Sequence, residues 1–305
     1  MVVVLRNFQE VIDRAQQLPL TKVVIAPATA KEATSGGAIE ANGLARVILV
    51  GEKPVGEGSH HCQWIRADDP IAAVEKGASL LASGAAEIIV KGQINTSDFM
   101  RVLLRKEYRL RQGKLISHVA VVEMPQLKRL IIVTDGGMVI EPDEEQLVQI
   151  VLNALPVAEA LGMANPRIAL LSANEKVNEN FPSTVRAARV VASLQRQING
   201  YISGPLSLDL ALSKEAAAIK GIQDPVAGSA DILVVPNIEV GNTLVKSLVY
   251  FAGASMAGIL VGAARTIIVT SRAASEETKL YSVALARLVN ATLVDKKINS
   301  LSFTG

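Results

Sequence analysis

Two apolar runs, Lys22-Val23-Val24-Ile25-Ala26-Pro27-Ala28 and Arg46-Val47-Ile48-Leu49-Val50-Gly51, flank a segment over residues 31–42 that reads as a helix with Gly43 at its end. Short runs rich in Val and Ile with a helix between them make a strand–helix–strand unit. A further helix over 71–82, closed by Gly84, leads to a third run, Glu87-Ile88-Ile89-Val90-Lys91-Gly92. This alternation predicts right-handed βαβ units and a parallel sheet. Ligands of such sheets bind beyond the carboxyl ends of the strands. Lys91 stands at one of those ends.

The same shape returns near the C-terminus. Thr266-Ile267-Ile268-Val269-Thr270 reads as a buried strand that delivers Ser271 and Arg272. Ser275 is placed to cap a helix over 277–288, with Glu276 and Glu277 beside its start. A hydroxyl and a guanidinium just ahead of a helix N-terminus suit an anion.

Between these ends the pattern changes. Residues 115–124 and 130–135 are apolar runs joined by Pro125-Gln126-Leu127-Lys128-Arg129, and so predict an antiparallel hairpin and a domain boundary near Gly113. Thr96 reads as the N-cap of a helix reaching Arg111. Residues 204–209 read as a turn into one helix over 210–220. The stretch over 247–264 carries no charge and reads as a buried helix rather than a membrane span.

Composition bounds the rest. Of 305 residues half are hydrophobic and 3% aromatic, so Ala, Val, Leu and Ile fill a core large enough for two domains. A net charge of +2, without a long basic run or stacking aromatics, argues against nucleic-acid binding. A single cysteine, Cys62, and no apparent signal peptide fit a reducing cytoplasm. The candidate histidine bases are His60, His61 and His118; the last, in an apolar strand, reads as a satisfied histidine.

Five ordered motifs carry a resemblance. They are Lys91-Gly92-Gln93-Ile94-Asn95-Thr96 with Arg101; Thr134-Asp135-Gly136-Gly137; Gly204-Pro205-Leu206-Ser207-Leu208-Asp209; the run from Ala230 through Pro236 and Gly241 to Asn242; and Val269-Thr270-Ser271-Arg272-Ala273. The chain resembles the phosphate acetyl/butyryl transferases over essentially its whole length, and the Gly-Pro-Leu-Ser-Leu-Asp and Thr-Ser-Arg-Ala runs favour the butyryl branch. The resemblance implies two α/β domains with a cleft between them, related to isocitrate and isopropylmalate dehydrogenases. It implies a discontinuous first domain, 1–113 plus 259–305, and a second domain, 114–258, that carries a homodimer interface. It also implies reversible transfer of a butyryl or similar short-chain acyl group from CoA to inorganic phosphate.

On this resemblance Ser271, Arg272 and Glu277 are the expected catalytic residues. Arginine suits phosphate because its fork matches two oxygens and its charge is fixed. Ser271 would hydrogen-bond the developing oxyanion or the leaving thiolate. Glu277 stands in for the acid of the acetyltransferases, where this chain has Thr278. Lys91, Thr96, Arg101 and Asn242 are the expected substrate-binding residues. No metal and no separate cofactor is expected, CoA being a substrate. The partners expected are acyl-CoA, CoA and phosphate, with no membrane. Phosphate acetyltransferase is the nearest alternative activity. An acyl-CoA-sensing domain without catalysis is the alternative of another class, and Ser271 with Arg272 argues against it. A metal-dependent dehydrogenase lacks its acidic cluster.

Overall fold

A computed structural model describes residues 3–52, 62–111, 115–272 and 274–302, with side chains as far as 294. His60, His61 and Gly113 lie outside the described residues. The chain divides into two compact units, Phe8–Lys114 with Ala257–Gly305, and Met1–Asn7 with Leu115–Met256. Residues 3–7 therefore go with the inserted unit, whereas they were expected to join the residues that follow them. The reason is local: the Leu5 N–H donates to the Leu161 carbonyl at 2.9 Å.

The N-terminal unit opens with α1 (Phe8–Gln16), β1 (Thr21–Ala28), α2 (Ala30–Ala41) and β2 (Ala45–Gly51). Then come β3 (Gln63–Arg66), α3 (Pro70–Ala82), β4 (Ile88–Lys91) and α4 (Thr96–Leu103). The strand β3 was not foreseen. It is short, half exposed and pairs only with β2 at the sheet edge, so its sequence carries no continuous apolar run. The Asp69 carboxylate accepts from the Ala72 N–H and starts α3, with Pro70 in the first turn. Asn95, not Thr96, holds the N-cap position of α4. That helix ends at Leu103 instead of reaching Arg111. A 3-10 turn, Lys106–Tyr108, follows, with Arg109 left-handed at φ 52°.

The inserted unit contains β5 (Ser117–Met124) and β6 (Arg129–Thr134), paired antiparallel as the hairpin. Then follow α5 (Glu144–Ala160), β7 (Arg167–Leu171), α6 (Pro182–Leu194) and β8 (Tyr201–Leu206). Next are α7 (Leu208–Leu212), α8 (Lys214–Ile219), β9 (Ile232–Val234) and α9 (Ile238–Ala252). Its strands lie in the order β5-β6-β9-β7-β8. Gly204-Pro205-Leu206 completes β8 rather than forming a turn, which an edge strand allows because proline need not donate there. The helix expected over 210–220 breaks at Ser213, whose hydroxyl accepts from the Ala216 N–H to start α8.

The chain returns through β10 (Ser255–Val261), β11 (Thr266–Ile268) and α10 (Glu276–Ser302). The uncharged stretch is thus not one helix. Gly253 ends α9 at φ 65°, a conformation glycine adopts without a Cβ penalty, and a strand follows. Among the described residues no helix is long and apolar enough to cross a membrane. In the N-terminal unit the order is β3-β2-β1-β4-β11-β10. All neighbours there are parallel except β10 with β11. α10 packs on α1 and α2, and Phe8 stacks on Tyr281 with ring centroids 4.4 Å apart. The strands β1 and β4 are buried along nearly their whole length, so Lys91, at the end of β4, reaches its place through a rigid core.

Candidate active site

The carboxyl ends of β1, β4 and β11 bring together one carboxylate and several cations. Lys91 is buried, and its Nζ donates to the carbonyls of Gly92 (3.2 Å) and Ile94 (2.9 Å). Glu32, in the first turn of α2, is fully buried. Its Oε2 accepts from the Thr29 N–H (3.2 Å) and the Thr29 hydroxyl, and its Oε1 from Gln93 Nε2 (3.0 Å). Lys279, on α10, completes the set: its Nζ lies 3.3 Å from Glu32 Oε1 and 3.2 Å from Ser35 Oγ. The preceding residue on α2, Lys31, donates through Nζ to the Arg272 carbonyl at 2.8 Å.

Arg272 itself is exposed and pairs with neither Glu276 nor Glu277. Its charge reaches Lys91. Burial pushes the Lys91 ammonium below the ordinary lysine value, and Arg272 and Lys279 push it further, against Glu32. Two cations, Arg272 and Lys279, and one carboxylate, Glu32, thus act on the buried Lys91 ammonium, a local excess of positive charge. Ser271 is exposed just ahead of Arg272. The Ser275 hydroxyl accepts from the Thr278 N–H at 3.1 Å, the expected cap of α10.

The expected site residues thus fall into separate places. Arg272 lies near enough for its charge to bear on the Lys91 ammonium. Arg101 is exposed and bonded to Asp98 on its own helix at 2.7 Å, and Thr96 is the exposed first residue of that helix. Glu277 is exposed in the first turn of α10, and the acid that meets the cations is Glu32. Glu32 and Lys279 were not singled out from the sequence. Thr29-Ala30-Lys31-Glu32 has the Thr-x-x-Glu spacing of a helix start, a signal that places Glu32 near the end of β1.

Asn242 belongs to the inserted unit, where its Nδ2 donates to the Gly136 carbonyl at 3.2 Å. Backbone contact is close there: a Cβ on Gly136 would lie 2.8 Å from the carbonyl carbon of Gly241. The adjoining Asp135 carboxylate accepts from four backbone N–H groups, those of His118, Gly137, Met138 and Val139. His118 is not the satisfied histidine expected, for its Nδ1 is buried without a hydrogen-bond partner. Burial lowers its basicity and the Asp135 charge partly restores it. Among the described residues no group of three or more His, Cys, Asp or Glu is placed to hold a metal ion.

Glu32 has a consequence for acid stability. Burial raises its pKa, but the hydrogen bonds from Thr29 and Gln93 and the Lys279 ammonium outweigh this and hold it below the ordinary value. A carboxyl with a depressed folded-state pKa stabilises fully above its unfolded value and loses that contribution as pH falls through the folded value. Below about pH 4.3, wild type should lose more stability than Glu32→Gln, measured as urea midpoints across pH. Parallel pH profiles for the two proteins would contradict this.

Comparison with known proteins identifies the family. Residues 67–287 match the family model described as "phosphate acetyl/butaryl transferase". The chain is similar to a phosphate butyryltransferase of Clostridium acetobutylicum, 39% identical over 298 residues, covering 93% of this chain and 98% of that protein. It is also similar to the crystal structure of a branched-chain phosphotransacylase from Enterococcus faecalis. That match has a TM-score of 0.82 and 37% identity, over 88% of this chain and 99% of that one. A 4-hydroxythreonine-4-phosphate dehydrogenase from Burkholderia phymatum shares the fold alone, with TM-score 0.55 and 14% identity over 89% and 99%. With Lys91, Arg272 and Lys279 lying inside the matched span, the chain belongs to the phosphate acetyl/butyryl transferase family.

Proposed function

We propose that the chain is a phosphate acyltransferase of the butyryl type, exchanging a short-chain acyl group between CoA and inorganic phosphate. The observation that carries the chemistry is the excess of cations, Lys91, Arg272 and Lys279, over the single carboxylate of Glu32. The near-40% identity to a phosphate butyryltransferase supports the acyl class.

In the forward step a phosphate oxygen attacks the thioester carbonyl carbon. The new C–O bond forms, the C–S bond breaks, and CoA leaves as the thiolate. Phosphate is a poor and strongly hydrated nucleophile, so holding it close to the carbonyl is the main task. Arg272 offers the fork for two phosphate oxygens and a charge that stays fixed, and Lys91 adds a buried ammonium behind it. Ser271 is assigned the developing oxyanion, where a placed donor acts most strongly. Glu277 takes the proton when phosphate enters as its monoanion. Thr96 and Arg101 are assigned to the charged part of CoA, and Asn242 to holding the Gly136 turn. The working form is a cytoplasmic homodimer, with the exposed Tyr250 and Phe251 on α9 in the subunit contact.

Thiol release from acetyl-, butyryl- and isobutyryl-CoA, each with phosphate, tests this reading. Butyryl- and isobutyryl-CoA should turn over faster than acetyl-CoA. Each methylene in an apolar pocket is worth about 1–3 kcal/mol, enough to separate the substrates clearly. Equal or greater kcat/KM for acetyl-CoA would reject the butyryl assignment.

A further inference from the structure

The first turn of α2 meets the phosphate-binding residues with two consecutive side chains. Lys31 grips the Arg272 carbonyl. Glu32 gathers three segments onto one carboxylate: Thr29 after β1, Gln93 after β4, and Lys279 on α10. The Gln93 segment also carries Lys91, and the residues just ahead of α10 carry Arg272. The Ser35 hydroxyl also meets Lys279, and the Glu32–Lys279 pair is almost wholly excluded from water. A buried ion pair is a weak source of net stability, since apolar residues of the same shape often do as well. What it does provide is a fixed arrangement of the groups it joins.

Resting on the reading that Arg272 and Lys91 hold phosphate, we propose that Lys31 and Glu32 are positioning residues for the phosphate site. Lys31 fixes the turn that aims Arg272, and Glu32 fixes the Lys91–Gln93 segment and α10 on α2. Neither touches the reacting atoms. A purely structural role would lower the melting temperature and leave the phosphate KM of the folded protein alone.

The test uses Glu32→Gln and Lys31→Met, assayed well below each melting temperature. Lys31 is exposed, so Lys31→Met folds even if Glu32→Gln does not. The KM for phosphate should rise about tenfold in each, with the KM for butyryl-CoA within about twofold of wild type, because small displacements of a binding group are felt where it binds. Inorganic phosphate alone should raise the melting temperature of wild type and do so much less in both variants. Folded variants with the wild-type phosphate KM and full protection by phosphate would overturn the proposal. Absence of phosphate protection in wild type would overturn it too. Protection that is lost in the variants, with no thiol release by any protein, would sustain the positioning role and reject acyl transfer.

Discussion

Replacing Arg272 with alanine should raise the KM for phosphate and lower kcat, with kcat/KM for phosphate falling about 10²–10³-fold, the usual effect of deleting one placed donor in a reacting site. The expectation rests on placement. Arg272 is exposed, pairs with neither neighbouring glutamate, and has its backbone held by Lys31. Its side chain is therefore available to an anion while its origin is fixed. Its charge already bears on Lys91, so an anion bound between the two would relieve their repulsion. Arg272→Lys should recover only part of the loss, because an ammonium supplies charge without the two-pronged geometry. Stability should hardly change in either variant, since no buried partner is stranded. Wild-type phosphate kinetics in Arg272→Ala would refute the phosphate-holding role.

The second large effect is on stability. Asp135 is buried, and its two oxygens satisfy four backbone N–H groups across the turn after β6. Leaving one buried donor without a partner costs about 1–3 kcal/mol. Asp135→Ala strands several at once, so a loss of at least about 3 kcal/mol is expected in urea unfolding. The same turn carries Gly136, whose backbone lies against Gly241 at the start of α9 and whose carbonyl receives Asn242. Loosening it should also loosen α9. Asp135→Asn keeps one acceptor oxygen and should lose less. A loss below about 1 kcal/mol in Asp135→Ala, less than the cost of a single stranded donor, would show that water or a rearranged backbone replaces the carboxylate.

The parallel strands of the N-terminal unit were legible because their faces are buried on both sides. Val23–Ile25 and Ile88–Val90 are apolar without interruption for that reason. The strands that sequence reading missed lie at edges or follow a glycine, while the misjudged helices break at Ser213 and end at Leu103. β3 and β8 are edge strands, with exposed residues and, in β8, a proline. The uncharged stretch hid a helix-to-strand change because both elements are apolar; Gly253 was the mark of the break.

The site was half legible. Lys91 stands at the end of β4 and Arg272 in the segment between β11 and α10, and the Arg272 charge bears on the Lys91 ammonium. Glu32 was hidden by distance in sequence. It lies 61 positions before Gln93 and 247 before Lys279. No local pattern announces such a meeting; only the parallel order of β1, β4 and β11 brings it about. Thr278, which stands where an acid was sought, serves instead in the cap of α10 with Ser275.

The most direct measurement is the phosphorus NMR spectrum of the protein with butyryl-CoA and inorganic phosphate, read beside thiol release in the same sample. Acyl phosphate should appear mole for mole with free CoA, and omitting phosphate should stop both. Thiol release without acyl phosphate, or release that continues without phosphate, would contradict transfer to phosphate.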